Sequence, residues 1–322
     1  MPPYIGRLED VGLAKESTRG VGVAAALTLP KTNISFDDKA NKAVSMEGLG
    51  NIAGFGNQAI VTQKFSEGNI DGEVNANSFS LLLLALFGTE TVTTVLAAQK
   101  HSFTLQNGNQ HQTLSIHASN PIADRIFEGC MIDQLDLEIN TDDIVKYSAG
   151  FKGKKGQDSS FTPSYATDYK FVGRDLVFKV ASDTSGLAAA SAISLKELKL
   201  SMKANAELDF TLGTLEPEGG LNKQFTIEGS LVLNHEAVTW RDYMLNGTYR
   251  AISIYLNNTR DAIGTNTPQI YLELPIVDFF EWERDRSNDD AVTQSINFRA
   301  LMDISNNRYI SDAYVINNVA AH

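Results

Sequence analysis

Disulfides are excluded first: among 322 residues there is one cysteine, Cys130, which leaves no intrachain framework and fits folding in a reducing cytoplasm. Long apolar runs are missing too. The longest, Phe79 to Phe87, is about half of the ~20 residues that a membrane-spanning helix needs, so no membrane insertion is expected. The start, MPPYIGRLEDVG, lacks the basic residues and apolar block of a secretory signal. Gly (24), Pro (8) and charged residues (20%) are not in excess, which excludes collagen, coiled coil and extended disorder. Cations are scarce: 27 Lys and Arg stand against 39 Asp and Glu, a net charge of −12. The parts before and after residue 186 are both acidic, and no basic arm is present to grip a phosphate backbone.

Catalytic signatures are absent as well. There is no HExxH, no P-loop, no GxSxG and no paired CxxC. The five histidines, His101, His111, His117, His235 and His322, show no ligand spacing, and His111 and His117 are expected on a surface strand. Gly48, Gly50, Gly54 and Gly56 have the wrong spacing for a dinucleotide fingerprint and read as a mobile loop. No metal, no cofactor and no enzymatic step are expected.

What is present is period-two alternation. From Leu198 to Leu212 every second residue is apolar, and the residues between are polar, which gives one dry and one wet face. With no Gly or Pro to break it, the run reads as one strand about 50 Å long at ~3.3 Å per residue. Shorter alternating runs include Leu135–Ile139, Leu176–Val180, Phe225–Leu233, Ile252–Leu256, Ile270–Leu274 and Ile296–Met302. The chain reads as mainly β. Two short helices interrupt it: Phe79–Leu86, capped by Asn77 or Ser78 and ended by Gly88, and Glu236–Leu245.

The chain also repeats itself. Residues 142–151 and 289–298 share Asp, Asp, Val, Ser and Phe at a constant offset of 147, and each Asp-Asp reads as a hairpin turn after an acidic strand. Two tandem copies are expected, residues 1–185 and 186–322, divided near the linker-like Ser182–Ser191. Acidic pairs such as Asp133 with Asp136, or Glu281 with Glu283, could form a glycosidase acid and base. Arrayed along strands, they read better as a lining. The Asp-Asp turns lack the continuation of an EF-hand.

Several segments in order resemble a known family: Arg19-Gly-Val-Gly-Val to Pro30, Gly48-Leu-Gly50, Gln63-Lys-Phe-Ser-Glu-Gly68-Asn-Ile-Asp-Gly72, Phe79 to Gly88, and the acidic hairpin from Phe127 to Phe151 with its copy ending at Phe298. The order resembles the major tail tube proteins of long-tailed bacteriophages, in the group with two tube domains per chain. That resemblance implies two tandem β-sandwich tube domains, each with a short flanking helix, closing into a ring-shaped β-barrel on oligomerisation. Three chains would close a pseudo-sixfold ring, and rings would stack into a hollow tube in the virion tail, assembled in the host bacterial cytoplasm. Implied partners are further copies of itself, a tape-measure protein, tail terminator and tail-tip proteins, and DNA in transit without specific binding. Asp133, Asp136, Glu138, Glu281 and Glu283, with Glu207 and Asp209 less central, would line the lumen. Met46, Leu49, Ile52 and Phe55 in the loop Asp37–Gly56, with Glu216 and Glu218 in Gly213–Leu221, would meet the neighbouring ring. The two ends, Met1–Lys15 and Ile304–His322, would act as arms. The alternative from another class is a β-sandwich adhesin or carbohydrate-binding module using Trp240 or Trp282.

Overall fold

Alternating sequence becomes strand almost everywhere in the computed structural model, which describes residues 3–47, 50, 52, 59–166 and 168–322. The first strands are β1 (Asp10–Lys15), β2 (Leu27–Leu29), β3 (Asn33–Ile34), β4 (Asp37–Val44) and β5 (Ala59–Glu73). After α1 (Ala76–Phe87) come β6 (Gly88–Val95), β7 (Ala98–Leu105), β8 (Leu114–Ser119), β9 (Asp124–Asn140), β10 (Lys146–Gly153) and β11 (Gln157–Asp158). The chain continues with β12 (Leu176–Ala181), β13 (Ala192–Ile193), β14 (Glu197–Lys203), β15 (Glu207–Asp209), β16 (Gly219–Leu221) and β17 (Thr226–Asn234). After α2 (Thr239–Leu245) it ends with β18 (Arg250–Asn257), β19 (Gln269–Asp285), β20 (Thr293–Leu301) and β21 (Asp312–Asn317).

One antiparallel sheet runs β4–β5–β10–β9–β14–β17–β20–β19. Strands β9 and β19 are 17 residues each, long enough to serve two layers. Their C-terminal halves belong to this sheet. The first half of β9 pairs instead with β8 and β11, and β8 leads on to β1 and β2. The first half of β19 pairs with β18 and β21; β18 leads to β12 and β13, and β21 to β7 and β6. Helix α1 packs against β2, β6, β7, β9 and β21. All 12 residues of α1 are buried, as a helix apolar on every side must be. Its first N–H groups, from Asn77 and Ser78, donate to the carboxylate of Asp168 at 2.9 and 3.3 Å, and Gly88 ends it at φ +90°. Helix α2 packs on β19, with Trp240 and Tyr243 against Phe279.

The offset of 147 holds in three dimensions. Leu137 pairs with Tyr147 as Arg284 pairs with Gln294, and Gln134 pairs with Gly150 as Glu281 pairs with Asn297. Both hairpins then carry a bulge at the matching place, Asp133 in β9 and Phe280 in β19. The neighbouring strands repeat too. Glu67-Gly68 on β5 faces Lys152 and Phe151, while Glu228-Gly229 on β17 faces Arg299 and Phe298. A Cβ at Gly229 would lie 2.4 Å from the Phe298 ring, so the strand needs glycine there.

Several expectations are corrected. The run Leu198–Leu212 is not one strand: it stops at Lys203, and a short strand resumes at Glu207. Asn205 bends it in the left-handed region (φ 47°), a conformation Asn tolerates without Gly. The loop Asp37–Gly56 begins as a strand, since β4 pairs along β5 while its side chains stay largely exposed. The expected arms are partly core: β1 and β21 are paired on both sides, and Val11, Leu13, Ala313 and Val315 are buried. The helices start at Ala76, with Asn75 rather than Asn77 or Ser78 at the cap position, and at Thr239 rather than Glu236. His111 and His117 are buried, not at the surface.

Candidate functional site

The wet face of the long sheet is built from cross-strand rows. Asp71, Ser148, Asp136 and Ser201 are successive partners, and the row continues through Glu228 and Arg299 to Asp278. The next row is Glu73, Lys146, Glu138 and Lys199, then Ser230, Asn297 and Glu281. A third is Asn140, Glu197, Val232, Ser295 and Glu283. These three rows hold nine carboxylates against three cations, Arg299, Lys146 and Lys199. Between β5 and β20 the face forms a groove of about 590 Å³ whose wall includes Asp71, Asp136, Glu138, Glu228 and Phe280.

Four of the expected lining residues, Asp136, Glu138, Glu281 and Glu283, therefore share one face. Asp133 does not belong to the rows. It is the bulged residue of β9, where its carboxylate accepts from the Ala206 N–H at 2.7 Å and pairs with Lys152 at 3.1 Å. Its work is to hold the bend that follows β14. Glu207 and Asp209 sit on the β15–β16 hairpin, and Lys223 beside Glu207 lowers the pKa of that carboxyl. The cations in the rows are partly neutralised: Lys199 reaches Glu197 at 2.6 Å and Glu138 at 3.6 Å, and Arg299 reaches Asp278 at 2.8 Å. Asp143 caps its own turn through the Ile144 N–H and pairs with Lys146, whose charge and hydrogen bond lower its pKa.

The residues expected to contact a neighbouring ring belong to two segments, 37–56 and 213–221. Met46 and Ile52 are fully exposed, and Leu49 and Phe55 lie outside the described residues. The Lys64 N–H donates to the Leu215 carbonyl at 2.7 Å, and Phe65 meets Phe210 edge to face, so the segment after β15 runs alongside the base of the β4–β5 hairpin. Glu216 lies 3.8 Å from Lys155, and Glu218 accepts from Thr211 at 2.7 Å.

Sequence reasoning missed Phe280. The alternation of Phe280 and Trp282 with Glu281 and Glu283 places it on the dry face, but the bulge turns it to the groove, 44% exposed, with the Arg299 guanidinium 5.5 Å from its ring centre. The repeat could have flagged it, because it stands opposite Asp133 at the offset of 147. Neither tryptophan forms an open sugar platform: Trp240 is buried, and Trp282 is partly buried with its indole N–H on Gln294 at 2.9 Å.

A two-faced antiparallel sheet with helices on its dry face, an acidic wet face and, among the described residues, unpaired outer edges defines a β-structural protein whose surfaces are suited to assembly. A model of the phage tail tube protein family matches residues 6–300. The chain belongs to the phage tail tube protein family, and its place is in the virion tail. No curated protein matches it.

Proposed function

We propose that three copies of this chain close a ring with six equivalent seams, that rings stack into a tube, and that the acidic rows face its bore. The observation that carries this reading is the seam inside the chain. Strand β14 pairs with the free side of β9, with Lys203 opposite Gln134 and Lys199 opposite Glu138. By the repeat, residues 33–39 stand on β5 as residues 197–203 stand on β17, and residues 281–287 correspond to 134–140. Both of these equivalents are edges: among the described residues β3 and β4 pair only with β5, and the C-terminal half of β19 pairs only with β20. Unpaired edges of this length invite another strand. Docking 33–39 of one copy on 281–287 of the next repeats the internal seam, brings Lys39 opposite Glu281 and closes the sheet by symmetry. The closed barrel continues the acidic rows around the bore.

Strand β12 pairs with β18 as β1 pairs with β8, which supports a reading in which the second tube domain takes in β12 and so begins ahead of it. Duplex DNA carries one charge per about 1.7 Å, and fixed carboxylates repel it within a Debye length of about 8 Å. Such a wall lets DNA slide rather than bind, and no catalytic step is needed. The exposed Met46 and Ile52 and the Glu216–Glu218 segment contact the adjacent ring. The tube ends meet terminator and tail-tip proteins, the bore first holds a tape-measure protein, and assembly takes place in the host cytoplasm.

Negative-stain images and native mass spectrometry of the purified protein test this reading: trimeric rings or stacked tubes with a central channel are expected. Lys39→Glu sets two acids opposite each other and should shift the population to monomer, and adding Glu281→Lys should restore rings. A protein that stays monomeric in every assembly condition, or rings indifferent to both changes, overturns it.

A further inference from the structure

Away from the long sheet, one group of metal-ligating side chains stands out among the described residues. Glu90 on β6, His101 on β7 and His322 at the end of the chain each bring one ligand atom within 4.8 Å of the others. The Glu90 and His101 side chains are 5% and 0% exposed, and the two imidazole rings lie 5.3 Å apart.

Hydrogen-bond accounting fixes what each ring offers. Asn317 donates through Nδ2 to the Ala76 carbonyl and to Ser80 Oγ, so its Oδ1 is an acceptor, and that oxygen also takes the Val319 N–H. His101 Nε2 faces Asn317 Oδ1 and the Val319 carbonyl, each at 2.9 Å, and must carry the hydrogen. In the neutral ring Nδ1 is then a lone pair, yet it lies 2.7 Å from a carboxylate oxygen of Glu90. Two acceptors at that distance must share a proton, which a metal ion bound by both would displace. His322 follows the same logic. Ser80 Oγ gives its hydrogen to the Asn77 carbonyl at 2.8 Å, so His322 Nε2, 2.6 Å away, is the donor and Nδ1 is left as a lone pair. Each imidazole thus has one nitrogen held by an outer hydrogen-bond partner and the other, which in His101 faces Glu90, left for a metal, the arrangement of metal-binding histidines.

We propose that Glu90, His101 and His322 bind a divalent transition metal of the Zn²⁺ class, which ties the segment after β21 to the β6–β7 hairpin. Two imidazole nitrogens and one carboxylate form a borderline-soft donor set that suits Zn²⁺ and disfavours Mg²⁺ or Ca²⁺, which take oxygen ligands. The ion would reinforce a junction between distant parts of the chain: Asn317 already bonds to Ala76, and β21 already pairs with β7.

The test uses residues 1–322 without a polyhistidine tag, stripped with chelator and then titrated with ZnCl₂. Uptake of one Zn²⁺ per chain is expected by elemental analysis, with a rise in melting temperature that chelator reverses and that MgCl₂ does not produce. His322→Gln should lower Zn²⁺ affinity at least tenfold and shrink the chelator-reversible rise in melting temperature, each variant being compared with its own metal-free form, and Glu90→Gln should do the same. Should these variants fail to fold, Co²⁺ added to the unaltered protein must give the visible spectrum of nitrogen ligation. Native protein that takes up no Zn²⁺, or variants that bind it as well as the parent, overturns the proposal and leaves a proton shared between Glu90 and His101.

Discussion

Single side chains carry most of the surprises in this protein, because burial rather than residue type decides what they do. Tyr255, Tyr271 and Tyr314 are cross-strand neighbours on β18, β19 and β21. Burial, followed by the nearby Tyr255 and Asp312, pushes the Tyr314 phenol up to about 12, and burial with a hydrogen bond to Glu273 raises Tyr271 further. The folded values lie above the ordinary 10.0, so the folded state holds these protons more tightly than the unfolded chain. Their contribution is complete below pH 10 and is lost as pH rises from there through about 12. Melting temperature should therefore fall steeply over that range, and Tyr314→Phe should make the fall shallower. Equal slopes in parent and variant would refute this origin. The histidines teach the same lesson: His111 and His117 read as surface residues, yet both are buried.

At the scale of elements, alternation identified strands well but not where they end. The break after Lys203 has no Gly or Pro, and the apolar phase continues through Ala204, Ala206 and Leu208. What breaks the strand is local: Asn205 at φ 47°, its side chain donating to the Gln224 carbonyl at 2.7 Å, with Asp133 receiving the Ala206 N–H. A β-branched residue there meets the left-handed strain of about 1–2 kcal/mol and loses the side-chain bond. Asn205→Val should accordingly lower stability by about 2 kcal/mol in denaturant unfolding, whereas Asn205→Gly should cost less. Strand β4 escaped for the opposite reason. It projects from the core with its side chains largely exposed, so Asp37–Val44 shows no apolar phase to read.

For the whole molecule the decisive feature is charge laid out across strands from both copies. Asp136, Glu138 and Glu283 share the wet face, and among the described residues none of them is in an ion pair shorter than 3 Å, so reversing them changes the charge of this face without touching the core. In tubes that carry Asp136→Lys, Glu138→Lys and Glu283→Lys, DNA release should slow, and added salt should restore its rate as counterions screen the new attraction. Unchanged release at low salt would argue that this face lies away from the bore.

The sequence by itself determined the mainly β class, the two helices and the register of the repeat, because period-two burial and a constant offset are one-dimensional patterns. It also placed Asp136, Glu138, Glu281 and Glu283 on one type of face. Only the tertiary structure decided that they share one sheet, that Asp133 leaves them at a bulge, and that Phe280 joins them. Bulges, left-handed residues and contacts such as that between His322 and Ser80, 242 positions apart, arise from chain segments meeting in space. No local periodicity encodes them.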